Sequence, residues 1–255
     1  MSETYETKPG VRLPQQEDAR PKRFYETVSV KADGDAWAVR LDGRGVKTPA
    51  RQTLSVPSEA LAGLVADEWA AQGERIDAPA MPVTRLCFVA LDRMGEARDA
   101  TIAEVTKYAS TDLLCFRAPD PADLVSAQSA AWDPMLAWAE RALDAHFVAA
   151  TGVLPVDQDP VALQRVMAKA SAQDDLRLTA LAHATAVTGS AILGLALLDG
   201  EIDGGEAFAL SSVDEAYQAG QWGEDAEAAA RLALLKSELV AVDRMLRALD
   251  AGPPS

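Results

Sequence analysis

A chain of 255 residues, 49% of them apolar, can bury a sizeable core in one large domain or two modest ones. Its net charge of −15 would repel nucleic-acid phosphates and anionic membrane surfaces, so neither is an expected partner. Cys87 and Cys115 sit in the apolar runs LCFVAL and LLCF, and read as reduced, buried thiols of a cytoplasm-like compartment.

The chain opens polar. Residues 1–22 lack the apolar centre of a secretory signal, and Glu3, Glu6, Glu17 and Asp18 are out of place in a transit peptide, so a flexible arm is expected there. From 24 to 56 the apolar residues alternate: Val28 and Val30, then Trp37, Val39 and Leu41. Asp33-Gly34 and Asp42-Gly43 supply hairpin turns between them. GVKTPA and TLSVP predict two further short strands, with Pro49 and Pro57 marking edges. The period changes at Ser58, an expected N-cap, and Leu61, Leu64, Val65, Glu68 and Trp69 follow helical spacing up to Gly73. A β-rich domain with one helix is therefore expected over 23–82, and a helical domain over 83–250, ahead of a tail at 251–255.

The apolar run 85–94 favours helix over strand. Ile102, Val105, Ala109 and Leu113 then form an amphipathic stripe. Asp133-Pro134 and Asp159-Pro160 both read as helix starts, with the carboxylate capping and proline in the first turn. One further helix is predicted from about 175 to 198. Its apolar end, 186–198, is too short to span a membrane and suits the buried centre of a bundle. The last helix carries Ala228, Leu232, Leu235, Leu239, Val242 and Leu246 in steps of four and three, a stripe that needs a partner surface, expected within the same chain. The fold class predicted is α+β: a small N-terminal antiparallel β domain followed by a larger α-helical domain.

Residues 201–230 hold eight carboxylates and no Lys or Arg, more than half of the net charge, with Tyr217, Gln218 and Trp222 among them. Acids mixed with aromatics suit a surface that meets something basic or helical; the plain alternative is a solvated helix face. Phosphate-binding glycine loops, a G-x-S-x-G elbow and zinc-ligand spacings are absent, and His146 and His183 stand alone, so no cofactor, metal or small-molecule substrate is implied. Adjacent acids such as Asp214-Glu215 and Glu224-Asp225 do not face each other on a helix. A carboxylate-dependent enzyme with its site in a cleft between the β and helical parts remains the alternative reading.

Seven motifs in order, KRFYETVSV, LDGRGVKTPA, LSVPSEALAGLVADEWAAQ, MPVTRL, YASTDLLCFRA, QSAAWDPMLAW and VDEAYQAGQWGED, resemble the assembly chaperone of the ATP synthase F(1) sector that attends the alpha subunit. The resemblance implies a non-enzymatic protein. It would bind the unassembled alpha subunit and prevent its aggregation until it pairs with beta. Eukaryotic relatives would act in the mitochondrial matrix; the absence of a transit-peptide pattern and the high Ala content lead to the expectation of a bacterial cytoplasmic version here. The same resemblance gives weight to acids in the C-terminal part, which selects Glu215, Gln218, Trp222, Glu224 and Asp225 as partner-binding residues. Trp222 before Gly223 could instead plug the bundle at a helix end. Arg85, Asp112, Trp132 and Asp133 are expected to be structural or interdomain residues. Asp112 is a candidate buried partner for Arg85, although Arg85 could also make a rim contact with the partner protein. Trp132 and Trp138 read as core, and Tyr108, Thr111 and Asp112 as a structural helix motif.

Overall fold

The computed structural model describes residues 18–152, 156–223 and 225–251. The arm expected over 1–22 and the tail expected over 251–255 lie outside these residues except for 18–22 and 251. Residues 20–23 lie along 74–76: the Ile76 N–H donates to Pro21 O at 2.8 Å, and Lys22 bridges to Arg75.

Strands β1 (Val28–Asp33) and β2 (Ala36–Leu41) form an antiparallel hairpin in which Asp33 pairs with Ala36, leaving Gly34-Asp35 as the loop. Strand β3 (Arg44–Gly45) returns through Asp42-Gly43, whose φ values of 49° and 76° are those a two-residue I′ turn demands of both positions. Asp42 holds the turn by accepting from the Thr27 N–H at 2.8 Å. Strand β4 (Ser55–Val56) pairs with Trp37 and Ala38, so β2 is the centre of the sheet. The predicted strands GVKTPA and TLSVP thus contract to two-residue pieces joined by one bridge, Lys47 to Thr53.

Ser58 caps helix α1 (Glu59–Ala70) as expected: its Oγ accepts from the Leu61 N–H at 3.1 Å and donates to Ala248 O at 2.6 Å. Leu61, Val65 and Trp69 bury one face of α1. The run 85–94 and the stripe from Ile102 to Ala109 belong to one 29-residue helix, α2 (Pro82–Ser110), about 44 Å long. Leu113 falls beyond it, in a short 3-10 turn, Leu113–Cys115, capped by Asp112. Strand β5 (Phe116–Arg117) then pairs in parallel with β6 (Ala150–Thr151).

Asp133-Pro134 does not start a helix. Helix α3 (Ala122–Leu143) runs straight through it. The interior proline costs about 3 kcal/mol in a lost hydrogen bond and a clash. The stripe Gln128, Trp132, Met135 and Ala139 continues across it, however, and burial of Trp132 and Trp138, each worth more than ~2 kcal/mol, offsets that cost. Asp159-Pro160 does start helix α4 (Pro160–Ser171), with Asp159 accepting from the Val161 N–H at 2.8 Å.

The single helix expected over 175–198 is two: α5 (Asp175–Thr188) and α6 (Ala191–Leu198). Gly189, at φ 70°, ends the first, and Ser190 caps the second through a 3.0 Å bond from the Leu193 N–H. Every residue of 191–197 is buried, so this segment is the centre of the bundle as predicted. Helices α7 (Gly204–Ser211), α8 (Val213–Trp222) and α9 (Ala226–Asp250) complete the fold. The architecture is α+β, and a buried core runs from Tyr25 on the sheet side to Ala248 in α9. Among the described residues no helix is long and apolar enough to cross a membrane.

Candidate functional site

The acidic segment folds into α7, α8 and the start of α9, and much of its charge is capping chemistry. Asp203 and Glu206 form a reciprocal capping box on α7. Asp225 caps α9 by accepting from the Ala228 N–H at 3.1 Å. Asp214 accepts from Gln128 Nε2 at 2.7 Å, tying α8 to the buried face of α3. The Trp132 indole donates to Leu210 O at 2.8 Å and fixes the end of α7 in the same way. Tyr217 reaches from α8 to Asp123 at 3.0 Å.

Held on α3 from one side, α8 buries none of its residues fully. Its other face carries Glu215, Gln218, Ala219 and Trp222, at the i, i+3, i+4, i+7 positions of one helical row. Opposite stand Ala228, Leu232 and Leu235 of α9. The two rows line adjoining cavities of about 300 and 580 Å³, floored by Leu113, Val187 and Phe208. Among the described residues, one ion pair crosses this groove, from Arg231 to Glu215 at 3.8 Å. The stripe on α9 therefore has two halves: Leu239, Val242 and Leu246 are buried in the bundle, while Leu232 and Leu235 are half-exposed along the groove.

Trp222 stands at the lip with 79% of its surface exposed, so it does not plug the bundle. Gly223 does end α8, at φ 88°. Glu215 and Gln218 line the groove, and Asp225 sits at its mouth as the α9 cap. Glu224 lies outside the described residues. The groove residues missed from sequence were Phe208, Arg231, Leu232 and Leu235. The visible signal was a stripe on α9 longer than the bundle below it.

The expected pairing of Arg85 with Asp112 is corrected. Arg85 lies in the first turn of α2 and Asp112 beyond its last, roughly 40 Å apart along one helix. Arg85 pairs instead with Glu238 of α9, which also meets His183 Nε2 at 2.8 Å, so the cluster joins α2, α5 and α9. Asp112 is fully buried. It accepts from Ser190 Oγ at 2.7 Å and from the backbone N–H groups of Leu114 and Ile192 at 3.1 Å. Burial outweighs these bonds and pushes its carboxyl up to about 6. Trp132 is core, at 1% exposure. Asp133 pairs with Arg117 at 2.8 Å, and that guanidinium lies over the Trp132 ring. Glu68 of α1 accepts from Val83 N, Thr84 N and Thr84 Oγ1 at 2.7–2.8 Å, capping a helix in another part of the fold; desolvation raises its carboxyl nonetheless.

Among the described residues, the cavity beside the sheet lies within the β-rich part and is lined by Phe24, Tyr25, Trp69 and one acid, Asp42. In the α8–α9 groove the neighbours Asp214 and Glu215 turn to different partners, Gln128 and Arg231. The enzyme reading is not favoured. An open trough with half-exposed leucines and an aromatic lip can hold polypeptide, which defines a protein that binds other proteins.

Comparison with known proteins gives that class a family. Residues 22–140 match the ATP12 chaperone protein family. The crystal structure of Atp12 from Paracoccus denitrificans is 41% identical, spans 90% of this chain and 98% of its own, and superposes with a TM-score of 0.83. The Atu1473 protein of Agrobacterium tumefaciens, also 41% identical, spans 90% of this chain and 86% of its own at a TM-score of 0.85. The mitochondrial atp12 protein of Schizosaccharomyces pombe is 25% identical over 240 residues, 87% of this chain and 80% of that protein. The chain belongs to the ATP12 chaperone family, as the seven ordered motifs had indicated.

Proposed function

We propose that this protein serves assembly of the ATP synthase F(1) sector by binding the unassembled alpha subunit and keeping it soluble until it pairs with beta. An unpaired subunit exposes apolar surface that its neighbour will later cover, and such surface aggregates. The bacterial cytoplasm is the compartment this reading assigns. The binding residues are Glu215, Gln218, Trp222 and Asp225, with Glu224 beside them in sequence.

The observation that carries the reading is Trp222, 79% exposed at the lip of an acidic groove. A large aromatic left in water by a folded chain gains most of its burial only when a partner arrives. Light scattering of purified alpha subunit, with and without an equimolar amount of this protein, tests the proposal. Suppressed aggregation is expected, and Trp222→Ala should weaken binding about 30-fold, the loss of a ~2 kcal/mol anchor. Glu215→Lys should weaken it as well. The change at Trp222 should leave unfolding stability within about 0.5 kcal/mol. Alpha subunit that aggregates equally in both conditions would overturn the reading.

A further inference from the structure

We infer that the occupant of the α8–α9 groove is a basic amphipathic helix of the client protein, two to three turns long. This rests on the groove being the client site.

Three observations point to a helix with that charge. First, both walls are helix faces. The rows Glu215, Gln218, Ala219 and Trp222 on one side and Ala228, Leu232 and Leu235 on the other lie within helices whose backbone groups are bonded internally. They offer no ladder of free N–H and C=O groups to an extended strand. A segment buried between them has to satisfy its own backbone, which a helix does and a strand does not. Second, the groove has an apolar lining that an amphipathic helix can cover with one face. Leu232 and Leu235 stand three residues apart on one wall, with Phe208 on the floor and Trp222 at the lip. The length of α8, 10 residues or about 15 Å, sets the length of the contact.

Third, the charge around the groove is one-sided. Among the described residues, Asp214, Glu215 and Asp225 line it against one guanidinium, that of Arg231. At the mouth the negative carbonyl end of α8 meets the positive amide end of α9, so the side chains alone set the sign of the charge there. A Lys or Arg on the flank of the bound helix meets Glu215 along the wall or Asp225 at the mouth, whereas an acidic helix is repelled from both.

The test uses three designed peptides of about 14 residues titrated calorimetrically into the full chain at 0.15 M salt. One is a Leu/Lys peptide patterned as an amphipathic helix, one has the same composition with period two, and one is the Leu/Glu helix. The helical Leu/Lys peptide should bind at least tenfold more tightly than the other two. Trp222→Ala and Glu215→Lys should each weaken it about tenfold, and Asp33→Lys on the β1–β2 hairpin should not. Equal binding of the period-two peptide, or affinity unchanged by Trp222→Ala, overturns the helical occupant. The same variants assayed against aggregating alpha subunit separate the two levels. If Trp222→Ala loses protection while no peptide pattern is preferred, the groove stands as client site and the helical occupant falls. If Trp222→Ala keeps full protection, the groove itself is not the client site.

Discussion

Replacing Asp112 with Asn should change how stability responds to pH. The carboxyl is enclosed between the end of α2, the 3-10 turn and the first turn of α6, where Ser190, Leu114 and Ile192 donate to it. Burial raises it from its ordinary 3.8 to about 6. The sign follows from linkage: a carboxyl raised on folding is protonated more fully in the native than in the unfolded state between these two values. Stability from this group is therefore greatest below pH 4 and is lost as pH rises through about 6. Between pH 7.5 and pH 5 the wild type should gain about 1–2 kcal/mol from this group, a gain that Asp112→Asn cannot show. Asn keeps the acceptor facing Leu114 and Ser190 but turns an amide N–H₂ toward the Ile192 N–H, so the Ile192 N–H and the amide N–H facing it are both left unsatisfied at every pH. Urea unfolding of both proteins at pH 5, 6 and 7.5 gives the measurement. The difference between wild type and variant should grow toward pH 5. A difference that stays flat, or shrinks toward pH 5, would mean that Asp112 is already charged and solvated in the native state and that this account of its burial is wrong.

Glu68→Ala should cost about 1–2 kcal/mol, seen as a lower thermal midpoint, because α2 begins at Pro82 with no cap of its own and donates three hydrogen bonds to this carboxylate. Gly204→Ala should destabilise by about 1–3 kcal/mol. A methyl at Gly204 would sit 2.5 Å from Leu239 O, against backbone that cannot rotate away, so α7 would have to lift off α9. Hydrogen exchange should then rise in α7 before the rest of the bundle.

Several elements were legible because local chemistry alone dictates them. Asp42-Gly43 makes the tight turn its residues favour, Ser58 and Asp159 cap the helices that follow them, and 191–197 is the buried centre. The errors share one cause: a local signal was overridden by packing that sequence does not display. Asp133-Pro134 has the signature of a helix start, yet Trp132, Met135 and Ala139 needed one unbroken face. The helix expected over 175–198 hid its break, because Thr188-Gly189-Ser190 reads as small residues until Asp112 is seen to accept from Ser190 and Ile192 on the far side. Arg85 was given the wrong acid since the length of α2 was not known. At the candidate site, acids and aromatics marked the segment that forms α8, and the family resemblance selected Glu215, Gln218 and Trp222 on it. The α9 wall was not legible, because a heptad-like stripe does not reveal where its partner surface ends.

The acidic segment shows how a composition argument narrows once geometry is known. Eight carboxylates in thirty residues suggested a broad field. At physiological ionic strength a charge is felt over about 8 Å, so only carboxylates lining the groove bear on an occupant. Asp203 and Glu206 serve the start of α7, where they and Gly204 set that helix on α9 near Leu239. That seating, together with Ser58 bonding Ala248 O and Arg177 bonding Asp250 at 2.5 Å, anchors the C-terminal half of α9. The N-terminal half projects past its anchor, and α8 is held back on α3 by Gln128 and Asp123. Two walls fixed from behind cannot collapse onto each other, which keeps Leu232, Leu235 and Trp222 available at little cost to the fold. On the proposed function, a groove kept open by its scaffold, and bridged among the described residues by one long ion pair, suits taking hold of a client and later releasing it.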